Sequence, residues 1–123
     1  MPRFMAIILG DAAEAETETD VDPAVWKQIM DEYNEFGENA AGVIGGGEAL
    51  HPPSTAVGVK VAGKGGALTR TDAPFAEAKE VIGGFYLLDC ADIDEAVGWA
   101  AQIPGAWHGR VVVQPCVDFS AAA

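Results

Sequence analysis

The order of strand and helix patterns along the chain constrains its fold more than any other feature. Apolar or alternating runs typical of strands occur at both ends and in the middle, and two segments with helical spacing separate them. In chain order, we predict strands at residues 3–9, 43–50, 55–61, 66–71, 84–90 and 110–116, and helices at residues 22–42 and 92–103.

Two of these strands form a hairpin, because residues 55–61 and 66–71 are joined by the short turn AGKG. Without that hairpin the order is β-α-β-β-α-β, which is the split β-α-β arrangement of ferredoxin-like folds. A chain of 123 residues is the usual size of one domain. We therefore predict an α+β fold in a single domain, residues 1–123, with an inserted β-hairpin.

Both helices have recognisable starts. Asp22 followed by Pro23 is a favourable N-cap and first position, and Asp92 with Glu95 forms a capping-box pattern. In the first helix we predict an apolar stripe at Trp26, Ile29, Met30, Tyr33 and Gly37, and a solvent side at Asp31, Glu32, Glu35 and Glu38. In the second we predict a buried side at Ile93, Ala96, Val97, Ala100 and Ile103.

Two helices can cover only one face of the sheet. The strand at residues 84–90 is apolar on both faces, so either Phe85 and Leu87 or Tyr86 and Leu88 must lie on the uncovered face. A second subunit with its own sheet facing the first is the natural cover. We therefore predict a homodimer.

Composition excludes several classes of partner. The net charge is −12, which argues against a nucleic-acid partner, because such partners require clustered Lys and Arg. No run of apolar residues approaches the length of a membrane span, and the N-terminus is typical of a first strand rather than a signal peptide, so we expect a cytoplasmic protein.

Cys90 and Cys116 are predicted to be free core thiols, and we expect neither a metal site nor a cofactor.

Two further segments invite a ligand-binding interpretation. The acidic residues 10–22 lack the glycine turn and ligand spacing of a calcium loop, so a solvated loop is favoured. The glycines at 45–47 are followed by no phosphate-loop lysine, so a bulge or close packing is favoured. Glu48 after them is either a pocket carboxylate or a solvated acid at a strand end.

The segment at residues 72–86, DAPFAEAKEVIGGFY, combines a turn, an aromatic side chain, a charged cluster and a Gly-Gly strand entry. Neither helical nor strand periodicity alone explains this mixture. We interpret it as an ordered loop that holds ionisable groups in place before a buried strand. Loops on a rigid scaffold often carry function.

Residues 72–80, DAPFAEAKE, resemble the D-G-P-F-x-E-T-K-E motif of the YCII-related (DGPF-domain) proteins. The start RFMAII, the stretch GGGEALHPPSTA, the strand GGFYLLDC, the helix DIDEAVGWAAQIP and the strand VVVQP also resemble that family. The resemblance implies a dimeric α/β barrel. It implies no settled activity, although some relatives resemble lactone isomerases and dehydrochlorinases, and others are encoded beside sigma factors.

Two positions depart from the family motif, since Ala73 replaces its Gly and Ala78 its Thr. Ala73 restricts the backbone if that position needs a positive φ. The His–Asp pair proposed as catalytic in YciI-like relatives has no evident match: Asp31 and Ile103 lie near the corresponding positions.

The candidate site residues come from the loop and its neighbours. Asp72, Glu77, Lys79 and Glu80 are the catalytic candidates, and Glu48, Phe75 and Tyr86 are the ligand-binding candidates. A structural role is open for the same charges, since Asp72 could form an Asx-turn and the others an ion-pair cluster. His51 and His108 are expected at the surface, Trp26, Tyr33 and Trp99 in the core, and Trp107 at an entrance or a dimer edge.

Two functions remain open from the sequence. The first is a small-molecule binding module, with a cavity at the dimeric barrel and no turnover. The second is a cofactor-independent lyase or isomerase that moves protons on a small cyclic or aromatic substrate.

Overall fold

The computed structural model describes residues 1–16 and 22–120. The strands are β1 (Arg3–Asp11), β2 (Ile44–Ala49), β3 (Val57–Val61), β4 (Leu68–Asp72), β5 (Glu80–Asp89) and β6 (Arg110–Pro115). The helices are α1 (Ala12–Glu16), α2 (Pro23–Asn39), α3 (Ile93–Ala100) and α4 (Gly105–His108), with a 3₁₀ turn at Pro53–Thr55.

Four strands form one antiparallel sheet in the order β2-β5-β1-β6. With the hairpin set aside, this is the strand order of the ferredoxin-like split β-α-β arrangement, so the predicted α+β fold is confirmed. The hairpin β3-β4 is also confirmed, and it forms a separate two-stranded sheet. The two apolar strands β1 and β5 occupy the centre of the main sheet, as their continuous apolar runs predict.

One face of the main sheet carries the hydrophobic core. Phe4 and Ala6 of β1 are buried, and their cross-strand partners on β5 are Leu88 and Tyr86. Side chains of the helices complete this core, including Phe36 of α2. The helices therefore cover the face that holds Tyr86 and Leu88.

The opposite face is apolar and lies outside the core cluster. Because side chains alternate along a strand, Phe85 and Leu87 point to this face, next to their β1 partners Ile7 and Met5. All four keep partial exposure. We define the open sheet face by its apolar side chains: Met5, Ile7, Leu9, Ile82, Phe85, Leu87 and Val112.

Helix α2 begins where its capping signals predict, since the Asp22 carboxylate accepts a hydrogen bond of 2.8 Å from the Ala24 amide. Its predicted apolar stripe is partly wrong. Phe36, which the stripe omitted, is its buried side chain, while Trp26 is 42% exposed. The C-terminal half of α2 packs on the core, and its N-terminal half extends past the core.

Helix α3 is capped by the predicted pair. The Glu95 amide donates to the Asp92 carboxylate at 2.9 Å, and the Glu95 carboxylate accepts from the Ala91 amide at 3.1 Å. Ala96, Ala100 and Ile103 are buried as expected. Ile93 and Val97 are exposed, because the contact face of α3 is narrower than the predicted stripe.

Two predicted loops contain helical turns. Between the second predicted helix (92–103) and the last predicted strand (110–116), where the sequence predicts no helix or strand, Gly105–His108 form α4. In the acidic segment, β1 extends to Asp11 and Ala12–Glu16 form α1, whose first amides bond to the Asp11 carboxylate. The rest of that predicted loop, residues 17–21, lies outside the described residues.

The glycines of β2 form the predicted bulge. The pairing of β2 with β5 shifts register between Ile44 and Gly46, which is a bulge. Gly47 has φ 156°, and a Cβ built there would lie 2.5 Å from the Phe85 carbonyl oxygen. Glycine is therefore required by the close approach of the two strands.

The two cysteines are free, as predicted, but only Cys90 is a core thiol; Cys116 is exposed. Burial is the main cause that raises the pKa of the Cys90 thiol. Among residues 1–16 and 22–120, no helix is long and apolar enough to cross a membrane.

Candidate functional site

A cleft of about 680 Å³ opens at the end of the sheet where β1 ends and β5 begins. This volume lies within the usual range for small-molecule pockets. We call it the α2 cleft, because the N-terminal half of α2 forms one wall. Its other walls come from α1, from residues 50–53 after β2, and from residues 104–109 around α4.

The floor of the α2 cleft is apolar and belongs to the helix-covered face of the sheet. Ile8 and Val81 form part of this floor, and Trp26 lies on the wall that α2 forms. Gly105 brings α4 close to this floor, since a Cβ built there would lie 2.5 Å from Ile8 Cγ2 and 3.1 Å from the Tyr33 hydroxyl. The tyrosine hydroxyl therefore lies beside Gly105 at the inner part of the cleft.

Two histidines from separate segments line the same cleft. His51 follows β2 and precedes the diproline, and His108 ends α4. Both are exposed, which agrees with the surface position expected for each. Sequence spacing did not predict their shared cleft, because they lie far apart in the chain and only the folded structure brings both to it.

The cleft also contains carboxylates. Asp11 caps α1 by accepting from the amides of Ala13 at 2.8 Å and Glu14 at 3.2 Å. Glu32, predicted on the solvent side of α2, instead lines the cleft and is half-buried. Among the described residues, no group of three His, Cys, Asp or Glu side chains is arranged to hold a metal ion.

The loop candidates from the sequence lie outside the α2 cleft. Glu80 forms a two-pronged ion pair with Arg110 of β6, with Nε–Oε2 at 2.8 Å and Nη2–Oε1 at 2.6 Å. The hydrogen bond from Arg110 holds the pKa of the Glu80 carboxyl below its ordinary range. This keeps the carboxylate ionised and makes it a weak proton acceptor.

The other charged candidates do not converge with Glu80. The Asp72 carboxylate accepts from Arg70 Nε at 3.1 Å rather than from the backbone of its own loop, so the Asx-turn interpretation is wrong. The side chains of Glu77 and Lys79 are exposed. The Lys79 carbonyl accepts from the Ala12 amide at 2.9 Å, which ties the loop to the start of α1.

The three ligand-binding candidates are also separated. Glu48 is opposite Phe85 in the sheet and is therefore at the edge of the open sheet face. Tyr86 lies on the other face, edge-on to the Phe36 ring with centroids 5.1 Å apart. Burial raises the pKa of its hydroxyl. Phe75 is 52% exposed on the loop.

Trp99 packs partly buried against the core, as predicted. Trp107 is exposed and does not line the α2 cleft, and its indole N–H donates to the Ala101 carbonyl at 2.9 Å. Its predicted position at a dimer edge stays a prediction.

The backbone at Ala73, where the family motif has glycine, is in the left-handed conformation. Ala73 has φ 47°, and it is the one non-glycine residue with positive φ in the described part of the chain. A family glycine at this position therefore has a conformational reason, since L side chains disfavour the left-handed region.

Together, these features define a small α+β protein with a ferredoxin-like sheet, an inserted hairpin and an open cleft at one sheet end. The model of the YCII-related domain matches residues 3–120, so the chain belongs to the YCII-related family, as the motif at residues 72–80 predicts. A stretch of 35 residues is 54% identical to an uncharacterized protein of Rhizobium meliloti (strain 1021). That stretch spans 28% of this chain and 28% of the other protein.

Proposed function

We propose that this protein binds a small cyclic or aromatic molecule in the α2 cleft. The observation that carries the proposal is the cleft itself, with a volume of about 680 Å³ and a mostly apolar lining. Trp26 and Tyr33 supply aromatic surface, and His51 and His108 supply polar groups at separate points of the rim. Pockets of this composition favour ligands with an apolar body and a few polar groups.

A thermal-shift screen with small lactones, phenols, amines and carboxylates tests this proposal. We expect at least one compound to raise Tm in a saturable way, because a ligand that binds the native state stabilises it. The Trp26→Ala variant should lose that response, since it removes the tryptophan side chain from the α2 wall of the cleft.

Trp107→Ala is the matched control, because it removes an exposed tryptophan outside the cleft. It should keep the response to the same compound. An unchanged response in the Trp26→Ala variant would contradict binding in the α2 cleft, as would the absence of any saturable response in the screen.

The alternative function is proton transfer on a bound ring, and the two histidines favour it. Histidine is the commonest general acid or base in such reactions. In this alternative, one histidine removes a proton from the carbon next to the substrate's carbonyl. The same or the other histidine returns a proton to a neighbouring carbon, so no cofactor is consumed. His51 and His108 would then take the role that the sequence assigned to Asp72, Glu77, Lys79 and Glu80.

Exchange of solvent deuterium into small lactones and cyclic enones tests this alternative. Enzyme-dependent exchange, followed by NMR, should fall at least about tenfold in either His51→Asn or His108→Asn. Exchange that persists at the wild-type rate in both variants would contradict the histidine mechanism.

We also propose that two copies pair through the open sheet face. Its apolar side chains form a continuous patch across β5, β1 and β6, and such patches mark interaction sites. The ion pairs Arg3–Asp89 and Arg110–Glu80 flank the patch and supply a polar rim, which is typical of interfaces. Pairing would also place Glu48 and Glu80 at the border of the space between the two sheets. Light scattering should give twice the chain mass of 12.8 kDa.

A further inference from the structure

The charged side chains of the α2 cleft have one dominant sign. Asp11, Glu14 and Glu32 contribute carboxylates from three successive elements, and the described lining contains neither Lys nor Arg. The whole chain carries a net charge of −12, so the long-range field also attracts cations. An anionic ligand would meet repulsion in this cleft, whereas a cation would be attracted.

Glu32 is the carboxylate best suited to meet a ligand. Asp11 already accepts two backbone hydrogen bonds, whereas the Glu32 side chain has neither a hydrogen bond nor an ion pair with any described residue. Its neighbour Asp31, on another side of α2, is paired with Lys27 at 2.8 Å. An unpaired carboxylate on the wall of an apolar cleft can form a charge-assisted hydrogen bond with a bound cation.

The aromatic wall suits the same class of ligand. Trp26 lies on α2 with Glu32, and both line the cleft. Indole is the best aromatic partner for a cation, and the attraction increases when water is excluded. A ligand with a ring and an ammonium group could therefore use the apolar floor, the indole and the carboxylate at once.

We propose that the natural ligand of the α2 cleft is a small aromatic or cyclic amine whose ammonium group pairs with Glu32. This proposal rests on the proposed function, because it names the chemical class of the molecule bound at that cleft. It goes further in predicting the sign of the ligand's charge and the residue that selects it.

Three probes of similar size separate charge from ring binding: benzylamine, benzyl alcohol and benzoate. Calorimetric titration at neutral pH and low salt should show benzylamine binding at least about tenfold more tightly than benzyl alcohol, since a charge-assisted hydrogen bond is worth this much. Benzoate should bind more weakly than the alcohol.

The variant Glu32→Gln should abolish the preference for benzylamine over benzyl alcohol. Glu35→Gln is the matched control, because it makes the same charge change at an exposed residue of the same helix outside the cleft. The control should keep the wild-type preference, which separates local pairing from the effect of net charge.

The outcomes distinguish the two proposals. Equal affinity for benzylamine and benzyl alcohol, or a preference that survives Glu32→Gln, would overturn the amine proposal and leave ring binding in the cleft intact. If none of the three probes binds and the wider screen also finds no ligand, the proposed function fails and the amine proposal fails with it.

Discussion

Single residues in the motif loop show how local conformation and charge pairing act together. Ala73 holds a left-handed backbone, and Glu80 is held by Arg110 across the sheet. The first feature is a departure from the family motif that the chain tolerates. The second pairs the Glu80 carboxylate, at the start of β5, with Arg110 of β6 on the other side of β1.

Replacement of Ala73 by glycine should stabilise the protein. At φ 47° a Cβ is unfavourable, and its removal should gain about 0.5–1 kcal/mol after the larger entropy of glycine in the unfolded chain is counted. Urea unfolding measures the change. Ala76→Gly in the same loop is the control and should destabilise slightly, because Ala76 lacks a positive φ. A stability for Ala73→Gly no higher than that of Ala76→Gly would contradict the conformational argument.

The Glu80–Arg110 pair should make stability depend on pH. The folded-state pKa of Glu80 lies below its ordinary value, mainly through its hydrogen bond with Arg110. The pair's contribution is therefore complete above the ordinary carboxyl pKa and is lost as pH falls through the depressed one. Glu80→Gln should lower Tm slightly at pH 7, since the pair is exposed, and the difference should vanish at strongly acidic pH.

Glu77→Gln provides the comparison for this pH series. Glu77 is an exposed glutamate in the same loop, so its loss should leave Tm nearly unchanged throughout. A Tm difference for Glu80→Gln that stays constant down to strongly acidic pH would show that the carboxylate's charge does not contribute.

At the scale of elements, local capping signals define where helices begin, while packing decides which side of a helix is used. The starts of α2 and α3 follow from Asp22 and Asp92. The N-terminal half of α2 lies across the cleft from β1 and β5 instead of packing on the core. The same helix thus contributes Phe36 to the core and Trp26 to the cleft.

Loss of the α3 cap should cost about 1 kcal/mol. The Asp92 carboxylate bonds to the Glu95 amide, and removal of an N-cap acceptor usually has this effect. Chemical denaturation of Asp92→Ala measures it. Asp94→Ala removes an acid from the same helix turn without removing the cap, so it should cost less. Equal losses in the two variants would mean that charge near the helix end, rather than capping, is responsible.

At the scale of the whole molecule, the two faces of the sheet have different roles. One face packs against helices and ends in the α2 cleft, while the other is apolar, lies outside the core cluster and is partly exposed among the described residues. The proposed dimer uses the second face, whose Leu9 and Ile82 also border the α2 cleft.

Ile82→Lys should convert the proposed dimer into a monomer. Ile82 is 47% exposed on the open sheet face, so a lysine there can be solvated in a monomer but would be buried unpaired in the dimer. Val97→Lys is the control, because Val97 is exposed on α3 in the helix layer. Light scattering of both variants measures mass. A monomeric wild type, or an Ile82→Lys variant that stays dimeric, would contradict pairing through this face.

The sequence by itself determined the elements and their order. The signals for these elements act over a few residues, so they can be recognised in the sequence. They are the strand runs, the hairpin turn, Asp22-Pro23 and the Asp92–Glu95 pair. The long motif at residues 72–80 similarly identified the YCII-related family. The helical turns at Ala12–Glu16 and Gly105–His108 were missed because segments this short carry little periodicity.

Only the tertiary structure decided which side chains share a site. His51 and His108 come from distant segments, and Glu32 joins them in the lining of the cleft. The register of β5 on β1 assigned Phe85 and Leu87 to the open sheet face. Such long-range placements depend on how the elements pack, and residue spacing within any one element does not contain that information.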